Sequence, residues 1–199
     1  MSPAPTDQIR DGAGSFSVED FDDLTASVLA AWGSGVDRDW TVPAGTLDWT
    51  CWATADHTVD CVFSYALFLA SRCQERYPPF GELRAFEAAT PSDLIDGLRA
   101  VTTMLSAVIR AAAPGTRAVI LQRPPLTGDL DDFAARGALE MVLHAHDVCT
   151  GLGIDFDPPR DLCSRLLDHT GSWVIMDAGP ATDDPWLQLL ERSGRPRGR

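Results

Sequence analysis

The stretch Arg136-Gly-Ala-Leu-Glu140-Met-Val-Leu-His144-Ala-His146-Asp147 lies in a predicted helix over about 131–151, which Gly151 or Gly153 ends. Glu140 and His144 are four residues apart, so their side chains share one helix face, about 6 Å apart, and can bind one metal ion. Arg136, one turn earlier, and Asp147, three residues after His144, lie on that face too. His146 is roughly 200° around the helix from His144 and cannot join them. Such a pair supplies two ligands. A third from a neighbouring helix would give the three-ligand, open-position arrangement of catalytic zinc. The spacing alone leaves this open against an ordinary ion pair on a helix surface.

Other helices flank this one. Ser17-Val-Glu-Asp20 reads as a capping box, with Asp20 where Glu is usual, ahead of a helix over about 18–33. A loop from 34 to 53 holds Trp40, Trp49 and Trp52. The second helix is expected to start at Thr54 as its cap and to run to about Tyr77, where Pro78-Pro79 end it. Val62, Tyr65, Ala66 and Leu69 recur at packing steps within it. Thr90-Pro91-Ser92-Asp93 opens a third helix that continues to Pro114-Gly115. Ala118–Leu121 can form a short strand, but most of 115–130 reads as loop. A fifth helix follows Pro158-Pro159 and reaches about Met176, and Asp184–Leu190 forms a short amphipathic one. With no repeats and no βαβ rhythm, the expectation is an all-α fold: a four-helix bundle over 16–194 with extra short C-terminal helices, and disordered tails at 1–15 and 195–199.

Composition narrows the chemistry. The 199 residues are 45% hydrophobic and 23% charged, as in ordinary globular proteins. No apolar run approaches the ~20 residues of a membrane span, and the N-terminus lacks a signal-peptide pattern, so a cytoplasmic protein is expected. A formal charge of −13 argues against nucleic-acid and anionic-membrane partners. All 16 basic residues are arginine. Without lysine there is no amine nucleophile, pyridoxal Schiff base or phosphate-loop lysine. Cys51, Cys61, Cys73, Cys149 and Cys163 form no CxxC or zinc-finger spacing and read as reduced, mostly buried thiols.

Leu47-Asp-Trp49-Thr-Cys-Trp-Ala-Thr-Ala-Asp56-His57 places a tryptophan eight residues before a histidine, and Glu140-x-x-x-His144-x-x-Asp147 follows far downstream. Together with the ending Asp184-Pro-Trp-Leu-Gln-Leu-Leu-Glu-Arg-Ser-Gly194-Arg, this resembles the DinB-like superfamily, in its mycothiol-dependent maleylpyruvate isomerase N-terminal branch, over about 20 to 194. The resemblance implies a DinB-like four-helix bundle with a divalent metal, usually zinc and alternatively nickel, held by His57, Glu140 and His144. It further implies an open metal position that activates a low-molecular-weight thiol such as mycothiol. Because no room remains after the bundle for the isomerase's extra domain, thiol transfer or another metal-assisted reaction is expected in place of maleylpyruvate isomerisation itself.

Asp60 and Cys61, one turn after His57, and Ser64, two turns after, are expected to border the pocket as cofactor-binding residues. Asp147 is a candidate to orient His144 or a substrate. Arg136 could meet a substrate carboxylate, or else pair with Glu140. Trp49 and Trp52 read as packing around the second helix's start rather than as a substrate cage. The leading expectation is a mycothiol-using S-transferase or isomerase acting on a small electrophile, possible as a homodimer. A hydrolase built on the same ligands, or a non-enzymatic metal or small-molecule binding module of stress response, are the alternatives.

Overall fold

Side-chain caps set where the long helices begin. In the computed structural model, which describes residues 16–122, 125–171, 173 and 182–195, Ser17 caps α1 (Val18–Ser34) through the anticipated box: its hydroxyl accepts from Asp20 N at 3.2 Å while Asp20 accepts from Ser17 N at 3.0 Å. Thr90 and Asp93 do the same for α3 (Pro91–Ala111), with Pro91 in the first turn. Asp129 and Asp132 do so for α4 (Leu130–Leu152), which ends on Gly153 at φ +65°.

The second helix, α2 (Cys51–Ser71), departs from expectation at both ends. Thr50, not Thr54, is the cap, its hydroxyl accepting from Ala53 N at 3.1 Å, so His57 lies in the second turn. Its other end comes early, at Arg72 with φ 55°, because the chain turns away to pair: Cys73 C=O accepts from Val119 N at 2.8 Å. The stretch read as loop before α4 is also corrected. β1 (Ala118–Gln122) and β2 (Pro125–Gly128) form an antiparallel pair with Ala118 opposite Gly128, and the proline sits at a strand start, where its missing N–H does least harm. After α4 come α5 (Arg160–Thr170) and α6 (Pro185–Arg192). The fifth helix ends before the expected Met176, which lies outside the described residues, as do the segments 1–15 and 196–199 expected to be disordered. Arg195, placed in that tail by the sequence, is described and bonded into the fold.

Among the described residues the architecture is thus six helices and one small two-stranded sheet, an all-α fold. α1 packs on α3 and α4, α2 packs on the same two, and α5 lies against α4 and α6. Phe21, Leu98, Leu105, Phe133 and Met141 are fully buried between them, each worth about 1.5–3 kcal/mol of burial. Two glycines let α4 approach its neighbours. A Cβ on Gly137 would stand 2.7 Å from Leu105 and 3.2 Å from Phe21. One on Gly151 would strike the Pro43 carbonyl oxygen and lie 2.6 Å from Cys51 Sγ. The second contact seats the start of α2 on the C-terminal half of α4, and this is what brings His57 opposite Glu140 and His144. No helix among the described residues is long and apolar enough to cross a membrane.

Candidate metal centre

His57 from α2 and His144 from α4 meet edge to face, with ring centroids 5.2 Å apart. Residues 87 positions apart in sequence thereby share one small region, and Glu140 joins them with Oε2 3.6 Å from His144 Nε2. That distance is too long for a hydrogen bond. The sequence-predicted trio is therefore brought together, although among the described residues no group of three or more His, Cys, Asp and Glu side chains stands ready-made to hold a metal ion. Glu140 Oε2 and His144 Nε2 face one another, with the His57 ring beside them.

Glu140 and His144 are each held by neighbours on one side, whereas His57 Nε2 lies 3.3 Å from Cys61 Sγ. Glu140 Oε1 accepts from Arg136 Nη2 at 2.6 Å and from the Tyr65 hydroxyl at 3.2 Å, which leaves Oε2 on the His144 side. Arg136 Nε also donates to the Tyr65 oxygen at 2.8 Å, closing a buried triangle. The Glu140 ion pair anticipated for Arg136 as the alternative to a substrate carboxylate is thus formed. Burial first, and then the charge on Glu140, push the Tyr65 hydroxyl well above its usual range, so it acts as a donor.

His144 Nδ1 is 3.2 Å from Asp147 Oδ2. A carboxylate can only accept, which assigns a ring proton to Nδ1 and leaves Nε2 outside that bond. Asp147, with its side chain 3% exposed, is in turn gripped by Arg195: Nε lies 2.9 and 3.0 Å from the two carboxylate oxygens and Nη2 lies 2.7 Å from Oδ2. Burial would raise Asp147, but the bonds from His144 and Arg195 outweigh it and hold the carboxyl below its usual range.

Burial, reinforced by the neighbouring His144, lowers the pKa of His57 and favours its neutral, ligating form. Trp49 stacks edge-on against it at 5.0 Å while remaining 48% exposed, so this tryptophan stands at the rim of the site and not in the packing expected of it. Trp52 does pack, its indole N–H donating to the Ala89 carbonyl at 2.8 Å.

The expected cofactor-binding residues separate. Cys61 lies at the centre, with Sγ 3.3 Å from His57 Nε2, and burial followed by the charges of Glu140 and Asp60 pushes its thiol up to about 12. Asp60 turns elsewhere: it accepts from Leu83 N at 2.7 Å and, with Asp56 accepting from Ala85 N at 2.8 Å, ties the 72–90 segment onto α2. Ser64 is half-buried farther along α2. His146 is buried and meets Trp186 of α6 at 5.7 Å, away from His144's face as the helix geometry requires. Burial pushes Cys51 up to about 11 and Cys149 and Cys163 to about 12, as befits unreactive thiols.

Two members of the constellation, Tyr65 and Arg195, carry only a faint signal in the sequence. Tyr65 counted only as a core position, and its signal was its place two turns after His57 on the helix facing α4. Arg195 falls in the segment expected to be a tail; the glycine just before it, following a helix end, marks a cap that would return the chain. A surface groove of about 770 Å³ lies between α1 and α3, lined by Asp22, Arg99 and Arg110 among others, and shares no residue with this centre. Comparison with protein-family models, with curated proteins and with solved structures returned no match.

Proposed function

We propose that this chain is a DinB-like four-helix bundle of α1 to α4 in which His57, Glu140 and His144 hold one divalent ion, zinc in preference to nickel. We further propose that it is a mycothiol-using S-transferase or isomerase acting on a small electrophilic molecule. The observation that carries the metal reading is the state of His144. Asp147 engages Nδ1, while Nε2 faces a carboxylate oxygen at a distance too long for a hydrogen bond, with the His57 imidazole beside it. Two nitrogens and one oxygen suit zinc, and a carboxylate behind a ligating histidine is its usual support. A bound ion would favour the thiolate of a small thiol, the form that attacks electrophiles.

The chain's own residues supply the rest. Tyr65 and Arg136 hold Glu140 by one oxygen so that the other stays directed into the site. Asp147 keeps the His144 proton on Nδ1. Trp49, half in water, offers an apolar face beside His57 against which an approaching substrate can rest. Cys61, its thiol raised by burial, borders the site through His57.

Elemental analysis of the purified protein tests the reading first. One equivalent of zinc or nickel in the wild type and none in His57→Ala is the expected result. A folded protein that takes up no metal would sink it. Mycothiol with a bimane electrophile then tests the chemistry: conjugate formation above the uncatalysed rate, lost on chelation, supports transfer. Turnover without thiol would indicate a hydrolase, and metal binding without turnover a binding module.

A further inference from the structure

The end of the described chain reaches the centre by a local device. α6 starts on Asp184, whose carboxylate accepts from Trp186 N and Leu187 N at 2.9 and 3.1 Å, and it buries Trp186, Leu189 and Leu190. It ends in a Schellman turn: Gly194 N donates to Glu191 C=O at 3.0 Å and Arg195 N to Leu190 C=O at 2.8 Å. Gly194 takes φ +75°, the left-handed conformation that such a turn needs. The turn folds Arg195 back onto α4, where its guanidinium meets both oxygens of Asp147, and the arginine side chain is only 15% exposed.

We propose that Arg195 is a positioning residue of the metal centre, acting through Asp147 to fix the ring and the tautomer of His144. The proposal rests on the metal reading above. A carboxylate on an aspartate can swing about its side-chain bonds, and held only by an imidazole proton it has one anchor. The Arg195 fork adds a second, rigid one across both oxygens, Oδ2 included, and an ammonium could not reproduce its planar contact. The carboxylate plane is thereby set where Oδ2 meets His144 Nδ1, so that Nε2, not Nδ1, is presented to Glu140. Groups that orient a ligating histidine in this way govern metal affinity while never touching the metal.

The test compares the wild type with Arg195→Gln and Arg195→Lys in the full chain. It reads zinc affinity by chelator competition, and it reads the His144 tautomer by nitrogen-15 imidazole spectra of the metal-free protein. Arg195→Gln is expected to weaken zinc by about 10- to 100-fold and to mix the His144 tautomers, with Arg195→Lys intermediate. Because the effect runs through Asp147, Arg195→Gln should add nothing to Asp147→Asn in the double variant, whereas an independent structural role would add to it. Wild-type affinity with an unchanged tautomer in Arg195→Gln overturns the proposal. If that variant does not fold, the same result in Arg195→Lys does so. Should the wild type bind no zinc while Arg195→Gln still shifts the tautomer, the metal reading fails and the positioning role stands.

Discussion

Two histidines of this chain each lean on an aspartate, and only one of them is left with something to offer. His169 in α5 is 5% exposed; its Nδ1 accepts from Phe16 N at 3.2 Å and its Nε2 lies 3.0 Å from Asp132 Oδ1. The backbone N–H must donate, so Nε2 carries the proton and gives it to the carboxylate. Both ring nitrogens are used, and the pair ties the start of the described chain to α4 and α5. His144 has the reverse arrangement. Its Nδ1 proton goes to Asp147, and Nε2 faces Glu140 Oε2 across 3.6 Å with no hydrogen bond. The same two residue types thus make a structural clamp in one place and a candidate ligand in the other. What separates them is the number of ring nitrogens that the surrounding backbone claims.

Removing each histidine should break the comparison most visibly. His169→Ala orphans a buried N–H and opens a cavity, so unfolding by denaturant should show a loss of about 3 kcal/mol, with metal content unchanged. His144→Ala should instead take bound metal from one equivalent to none by elemental analysis and leave the fold largely intact. If His169→Ala lost the metal and His144→Ala did not, the assignment of the two roles would be reversed.

Replacing the aspartates separates the pairs more finely. Asp147→Asn should weaken zinc by about 10- to 100-fold in a chelator competition. Asp132→Asn should cost about 1–2 kcal/mol of stability through the His169 bond and the α4 cap, with zinc affinity retained. Gly194→Ala should cost about 1 kcal/mol, because an L side chain is strained at φ +75° though nothing blocks the added carbon. By loosening the turn that carries Arg195, it should also weaken zinc several-fold. Cys61→Ala is expected to do least, changing zinc affinity by no more than a few-fold, since burial raises its thiol and it borders the site only through His57. A complete loss of metal there would make the cysteine a ligand and redraw the centre.

The helices themselves were legible because their signals are local. The Ser17/Asp20 box, the Thr90-Pro91 start and the Gly153 stop each act through atoms within one turn. Errors arose where a distant partner intervened. Periodicity could carry α2 on to Tyr77, but the Cys73 carbonyl is claimed by Val119, 46 residues downstream, and the helix stops at Ser71. The 125–128 segment reads as loop because a strand beginning on proline is recognisable only beside its β1 partner.

In the candidate centre the same division holds. Spacing on one helix was enough to align Arg136, Glu140, His144 and Asp147, because 3.6 residues per turn fixes which side chains stack. Only the tertiary structure could decide that Asp60 would be drawn off by the 72–90 segment, that Tyr65 would share Glu140 with Arg136, and that Trp49 would reach the rim. Arg195 shows the reason most clearly. Its identity is written in the chain, but its role depends on a turn at Gly194 and on α6 burying Trp186 and Leu190 to bring the guanidinium onto Asp147, 48 residues back. A helix dictates its own faces through bonds a few residues long, whereas which buried charge meets which partner is settled by packing between segments that sequence order does not make neighbours.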